Sequence, residues 1–161
     1  MARAKDGDHA AFEHLYRQHL DGVARQVRFR LGRSDEDVVA DVFLRAWRGL
    51  GGYQDLGRPF GAWLHGIAHH VIVDELRRGA RTIAVEQVPD QGVEPMIAEL
   101  MTLRDAIDRL PDEQRRVIEL KYLVGMTNDE VAAATETTTG AVNTKQWRAL
   151  RALQEILEER P

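Results

Sequence analysis

Phe60, Trp63, Leu64, Ile67, Ala68, Val71 and Ile72 recur at three- and four-residue intervals through FGAWLHGIAHHVIVDELRR, residues 60–78. That spacing lines them along one stripe of an α-helix of about four turns, which must then be buried against other elements. Pro59 stands where the first turn of a helix tolerates proline, and Gly79 after Arg77-Arg78 reads as the stop. The opposite face carries His65, His69, His70 and Arg77 and reads as a solvated surface.

Helical periodicity runs through most of the chain. Asp8 is placed to cap a helix from about His9 to Leu31, with Phe12, Leu15, Tyr16, Leu20, Val23, Ala24, Val27 and Leu31 on its buried side. Gly22 is expected to soften or break it midway, and Gly32 to close it. Arg25, Arg28, Arg30 and Arg33 form a basic cluster, either a solvated helix end or a contact to a nucleic-acid backbone. Ser34-x-x-Asp37, a weak capping-box variant, opens a second helix. Its apolar face holds Val38, Val39, Val42, Phe43, Ala46 and Leu50, with Trp47 at the margin. Leu44 falls on the far side among Asp37, Asp41, Arg45 and Arg48. Residues 49–59, GLGGYQDLGRP, are rich in turn formers and read as a loop.

Periodicity then lapses. Residues 79–94 are dominated by Gly, Pro, Gln and acidic side chains, the composition of an extended linker and domain boundary. A helix is expected from Pro95 to about Leu110 with Ile97, Leu100, Met101, Leu103, Ile107 and Leu110 inward, and Pro111-Asp112 restarts the chain into Val117, Ile118, Leu120 and Leu123. After Gly125, the capping box Thr127-x-x-Glu130 opens a short helix. A turn at residues 135–138 leads to a longer helix, Thr139 to Glu158, with Val142, Ala149, Leu150, Leu153, Ile156 and Leu157 inward. Short helix, turn and longer helix form the helix-turn-helix arrangement. The expected fold is all-α: two small helical domains, residues 1–78 and 95–161, on a flexible linker.

The chain has no cysteine among its 161 residues, which excludes disulfides and thiolate metal sites. MARAKDGDH lacks the apolar core of a secretory signal, and no apolar run reaches the roughly 18–20 residues that span a bilayer, so a cytoplasmic protein without membrane insertion is expected. Net charge is −4, with 12 Lys/Arg against 11 Asp/Glu in residues 1–78 and 9 against 12 in residues 95–161. Neither part is basic enough to grip duplex DNA strongly through phosphate neutralisation, so a DNA reader here needs a larger partner for affinity. No nucleophile–base constellation or phosphate loop stands out, and neither enzymatic activity nor a cofactor is expected.

The run Phe60-Gly61-Ala62-Trp63-Leu64, Ile67-Ala68 and Asp74-Glu75-Leu76-Arg77-Arg78 resembles a conserved block of bacterial extracytoplasmic-function sigma factors. So do Asp41-Val42-Phe43-Leu44-Arg45-Ala46-Trp47, then Leu110-Pro111, Gln114-Arg115, Val117, Leu120 and Tyr122, and Gly140 to Lys145 with Arg148-Ala149. The resemblance implies a subunit that directs RNA polymerase core to particular promoters and helps open them. It implies docking on the polymerase β′ clamp helices through Asp41, Leu44, Arg45 and Arg48. It implies that Tyr53, Leu56, Arg58, Phe60, Trp63, His69, His70 and Arg77 hold the melted minus-ten element. Of these, Tyr53 is expected to be exposed, with Phe60 and Trp63 as an apolar wedge or as core. Thr138, Thr139, Asn143, Thr144, Trp147, Arg148 and Arg151 would read the minus-thirty-five element, with the polymerase β flap and an anti-sigma factor as further partners.

Several residues depart from that pattern. Ala40 stands where glutamine is usual, His69-His70 where Arg-Asn is common, Asn143 in place of lysine, and Thr135 and Thr137 at positions that are normally apolar. Glu136 replaces a turn glycine, so either a residue with a Cβ adopts that conformation or the turn differs. Two other readings stay open: a regulator that binds duplex DNA without polymerase, and a histidine-based metal site at His65, His69 and His70, the first two at i, i+4 spacing.

Overall fold

The computed structural model describes residues 2–55, 57–82 and 95–159, and every regular element among them is helical. Leu56 and linker residues 83–94 lie outside the described residues. A four-residue helix α1, Ala2–Lys5, which the sequence pattern does not announce, seats Ala4 in the core. In α2, His9–Leu31, the Asp8 carboxylate accepts the Ala11 N–H, and Gly32 closes the helix in the left-handed region at φ 71°. Gly22 does not break it. A Cβ there would stand 3.4 Å from His65 Nε2, so the glycine lets an imidazole lie against the helix.

The helix α3, Glu36–Gly49, is capped by Asp35 and not by Ser34, because Asp35 is the side chain within reach of the Val38 N–H, at 3.1 Å. A 3₁₀ turn, Leu50–Gly52, leads into the glycine-rich loop. The helix α4, Phe60–Thr82, runs past Gly79, since one helical glycine costs only about 1 kcal/mol relative to alanine. Together α2, α3 and α4 close a core around Val23, Val27, Val42, Ala46, Leu64, Ala68 and Ile72.

The second domain is built from α5 (Pro95–Asp108), α6 (Asp112–Ile118), α7 (Asn128–Ala134) and α8 (Thr139–Glu158). A π-helical turn, Glu119–Val124, extends α6 and ends at Gly125. Thr127 and Glu130 form the expected reciprocal capping box, and the Thr138 hydroxyl accepts the Ala141 N–H to start α8. Val117, Leu120, Val131 and Val142 make one cluster, and Ala106, Ile107, Leu110, Ile118, Ala149 and Leu153 another. Met101, Leu103, Leu150 and Leu157, all expected inward, are 46%, 38%, 44% and 40% exposed. The reason is geometric: α8 meets the domain through Val142, Ala149 and Leu153, and α5 through its C-terminal half, so the margins of both stripes stay uncovered.

The two domains pack directly on one another. Ala62 of α4 is 1% exposed inside the second domain's cluster, and Phe29 of α2 packs against the other. Arg25 Nε donates to the Leu123 carbonyl at 3.2 Å. Arg30 pairs with Asp108 and lies 3.2 Å from the buried Glu119 carboxylate. Arg30 therefore serves the domain interface and not a nucleic-acid backbone. His65 is 2% exposed, contrary to the solvated face expected for it.

Candidate functional site

On α3, Leu44 is 45% exposed between Arg45 and the exposed Arg48. Arg45 bonds Asp41 at 2.9 Å and reaches Asp74 of α4 at 3.6 Å, which fixes its guanidinium beside the leucine. The four docking candidates thus share one surface.

The loop candidates divide. Tyr53, expected to be exposed, is 3% exposed. Its hydroxyl donates to the Arg58 carbonyl at 2.6 Å, its ring meets Phe60 edge-on at 6.0 Å and Trp63 at 5.0 Å, and Lys5 Nζ lies 5.2 Å from its centroid. Phe60 is 7% exposed in the same aromatic cluster and Trp63 is half-buried. Tyr53 and Phe60 pack inward with Trp63 as part of the first domain's core. Neither presents a face for a base to stack on.

Arg58 of the loop is half-buried against the second domain and pairs with Glu136 of the helix-turn-helix at 2.8 Å. A cavity of about 370 Å³ between the domains is lined by Arg58, Trp63, His70, Arg116 and Glu136. His70 and Arg77 are exposed. His69 is half-buried, and burial, together with the nearby Arg116 guanidinium, pushes its ring down to about 4. His65 is held apart from His69 chemically: its Nδ1 lies 2.7 Å from Gln26 Oε1. Among the described residues no three His, Cys, Asp or Glu side chains converge as a metal site.

In the second domain, Asn143, Thr144, Trp147, Arg148 and Arg151 form an exposed stripe on α8. Trp147 is 61% exposed with the Arg151 guanidinium 5.6 Å from its ring. Thr138 caps the helix, and Thr139 donates to Asp129 at 2.7 Å, which braces α8 against α7. Asn143 accepts from Asn128 of α7. The turn keeps its geometry with a Cβ in place: Glu136 sits at φ 52°. Thr135 compensates by donating its hydroxyl to the Val131 carbonyl at 2.7 Å.

Sequence reasoning missed Arg116 and Glu119. Glu119 is 2% exposed between Ile118 and Leu120, and burial, against the opposing pull of Arg30, raises its carboxyl to about 7. A lone acid inside an apolar run was the only local signal.

Residues 15–82 match Sigma-70 region 2, and residues 100–153 match Sigma-70, region 4. The ECF RNA polymerase sigma factor BldN of Streptomyces coelicolor is 32% identical over 172 residues, an alignment covering 99% of this chain and 65% of that protein. The ECF RNA polymerase sigma factor SigD of Mycobacterium tuberculosis is 35% identical over 171 residues, covering 96% of this chain and 81% of SigD. Among solved structures, CnrH in complex with the cytosolic domain of CnrY aligns with a TM-score of 0.74 at 30% identity, over 99% of this chain and 96% of CnrH. The sigma factor RpoE of Bartonella quintana, in complex with the anti-sigma factor NepR, shares the fold at a TM-score of 0.67 and 22% identity, over 94% of this chain and 99% of RpoE. Two sigma regions in the right order, with relatives aligned along almost the whole chain, identify it: the chain belongs to the extracytoplasmic-function RNA polymerase sigma factors.

Proposed function

We propose that this protein is an alternative sigma subunit whose two domains divide the work of promoter recognition. Residues 1–82 dock on core polymerase and hold the minus-ten element, residues 83–94 link, and residues 95–161 read the minus-thirty-five element. The observation that carries this reading is the pairing of one exposed leucine among anchored charges on α3 with an exposed Arg–Trp stripe on the recognition helix α8. Leu44, with Asp41, Arg45 and Arg48, supplies the polymerase contact. Arg58, Trp63, His70 and Arg77 face the opened strand, and Leu56 belongs to the same loop. Thr144, Trp147, Arg148 and Arg151 face the major groove, where Arg148 suits a guanine edge, while Thr138, Thr139 and Asn143 orient the helix.

The mechanism follows from the charge balance. At net −4 the chain contributes address and not grip, so affinity comes from the polymerase it rides on. The protein acts in the cytoplasm, catalyses no reaction itself, and is held by an anti-sigma factor, as the complexes of CnrH with CnrY and of RpoE with NepR suggest by analogy. The test is in vitro transcription by purified core polymerase on a promoter library. Initiation at a defined subset of promoters is expected, and initiation no better than with core alone refutes the proposal.

A further inference from the structure

Glu136 is the one non-glycine residue with positive φ among the described residues, at 52°. An L-residue is strained there. Backbone strain of this kind clusters where a side chain has a function. This carboxylate reaches across the domain boundary to Arg58 Nη1 at 2.8 Å. The same guanidinium approaches the Ala134 carbonyl at 3.5 Å, and Arg116 donates to that carbonyl at 3.2 Å. Arg58 is therefore occupied by the helix-turn-helix of its own chain.

We propose that Glu136 is an intramolecular latch that takes the place of a DNA phosphate on Arg58 and holds the two promoter-reading modules face to face. The competition with a DNA phosphate rests on the function proposed above; the ion pair and the closure it holds stand on the geometry alone. In the latched form Arg58 is covered by the turn of the helix-turn-helix, so that guanidinium reaches no phosphate until the domains separate, while the recognition stripe on α8 stays exposed. A phosphate satisfies Arg58 as Glu136 does, which makes closing and DNA binding mutually exclusive. The Glu136 side chain is 76% exposed, so the latch is weak and releasable and adds to the apolar contact around Ala62 and Phe29.

The chain has no cysteine, so Ala62→Cys provides a single thiol at a site 1% exposed against the second domain. Its rate of reaction with a thiol reagent reports domain separation in the full chain. In that background Glu136→Gly is expected to speed labelling about two- to fivefold, the range for an exposed ion pair. Its unfolding midpoint should hold or rise, because glycine adopts positive φ without strain. Arg58→Glu is expected to speed labelling, and combining it with Glu136→Arg to restore the slow rate. Labelling of Glu136→Gly at the parent rate, or faster labelling accompanied by a lowered unfolding midpoint, overturns the latch. No polymerase enters this assay, so a chain that core polymerase ignores refutes the proposed function alone.

Discussion

Acidification should destabilise this fold through His65, and the size of the loss can be worked out. The ring is 2% exposed, Nδ1 lies 2.7 Å from Gln26 Oε1, and the ring edge lies against α2 at Gly22. Burial, then the neighbouring His19 and Arg25, hold it down to about 4 from the ordinary 6.5. Between those values the unfolded chain binds a proton that the folded chain refuses, so stability rises with pH across that window and is lost as pH falls. Going from about pH 7.5 to about pH 5 protonates the unfolded imidazole almost fully and the folded one hardly at all, a loss of about 2 kcal/mol. His69 contributes with the same sign, so the parent alone cannot separate the two. His65→Gln can: its amide still donates to Gln26 and never charges. Urea unfolding of both proteins at the two pH values should show the parent's advantage over His65→Gln shrinking by about 2 kcal/mol in acid. An advantage that is the same at both pH values, within a few tenths of a kcal/mol, refutes the argument that this ring is neutral because it is buried.

Glu119 carries the opposite sign: raised from 4.5 to about 7, it stabilises the fold fully below the lower value and loses that contribution as pH rises through the higher one. Relative to Glu119→Gln, the parent should therefore lose about 2 to 3 kcal/mol between about pH 5 and pH 8, read by the same unfolding series. Tyr53→Phe removes only the hydroxyl on the Arg58 carbonyl and should cost about 1 kcal/mol in thermal unfolding. Leu44→Asp changes an exposed side chain, so unfolding should move by less than about 0.5 kcal/mol while binding to core polymerase, measured by co-migration on a sizing column, is lost. Arg148→Ala should keep polymerase binding and lose about 1 to 3 kcal/mol of discrimination at one upstream base pair, read from a promoter library.

Periodicity in the sequence carried most of the helices, because the residues that share a helical face are a local property. The stops and caps at Asp8, Gly32, Gly125 and Thr127 were legible for the same reason: each satisfies backbone groups within four residues of itself. Two local readings still failed. Asp35 outcompeted Ser34 for the Val38 N–H, and Gly79 stayed helical. Tyr53 reads as outward-facing because a glycine-rich segment usually is. Tyr53 is buried among Lys5, Phe60 and Trp63, which no window around residue 53 contains together.

The polar face of α4 poses the larger problem, and it bears on function. A wheel tells which side chains point away from the first core; it does not tell what lies on the other side. His65 and His69 look like surface residues until α2 and the second domain are laid over them, at which point burial strips them of charge. His65 lies under α2 of its own domain, but the part of the face around His69 is covered by the second domain, which makes the electrostatics there conditional on the domain contact. When the domains part, Glu119 and Arg30 regain water and Arg58 regains its freedom, so the groups that hold the closed form are the ones that change most on opening. An interface of apolar contacts alone would be indifferent to DNA. One that uses a loop arginine as a clasp is opened by the same phosphates the arginine would bind, and this ties release of the closed form to capture of the promoter.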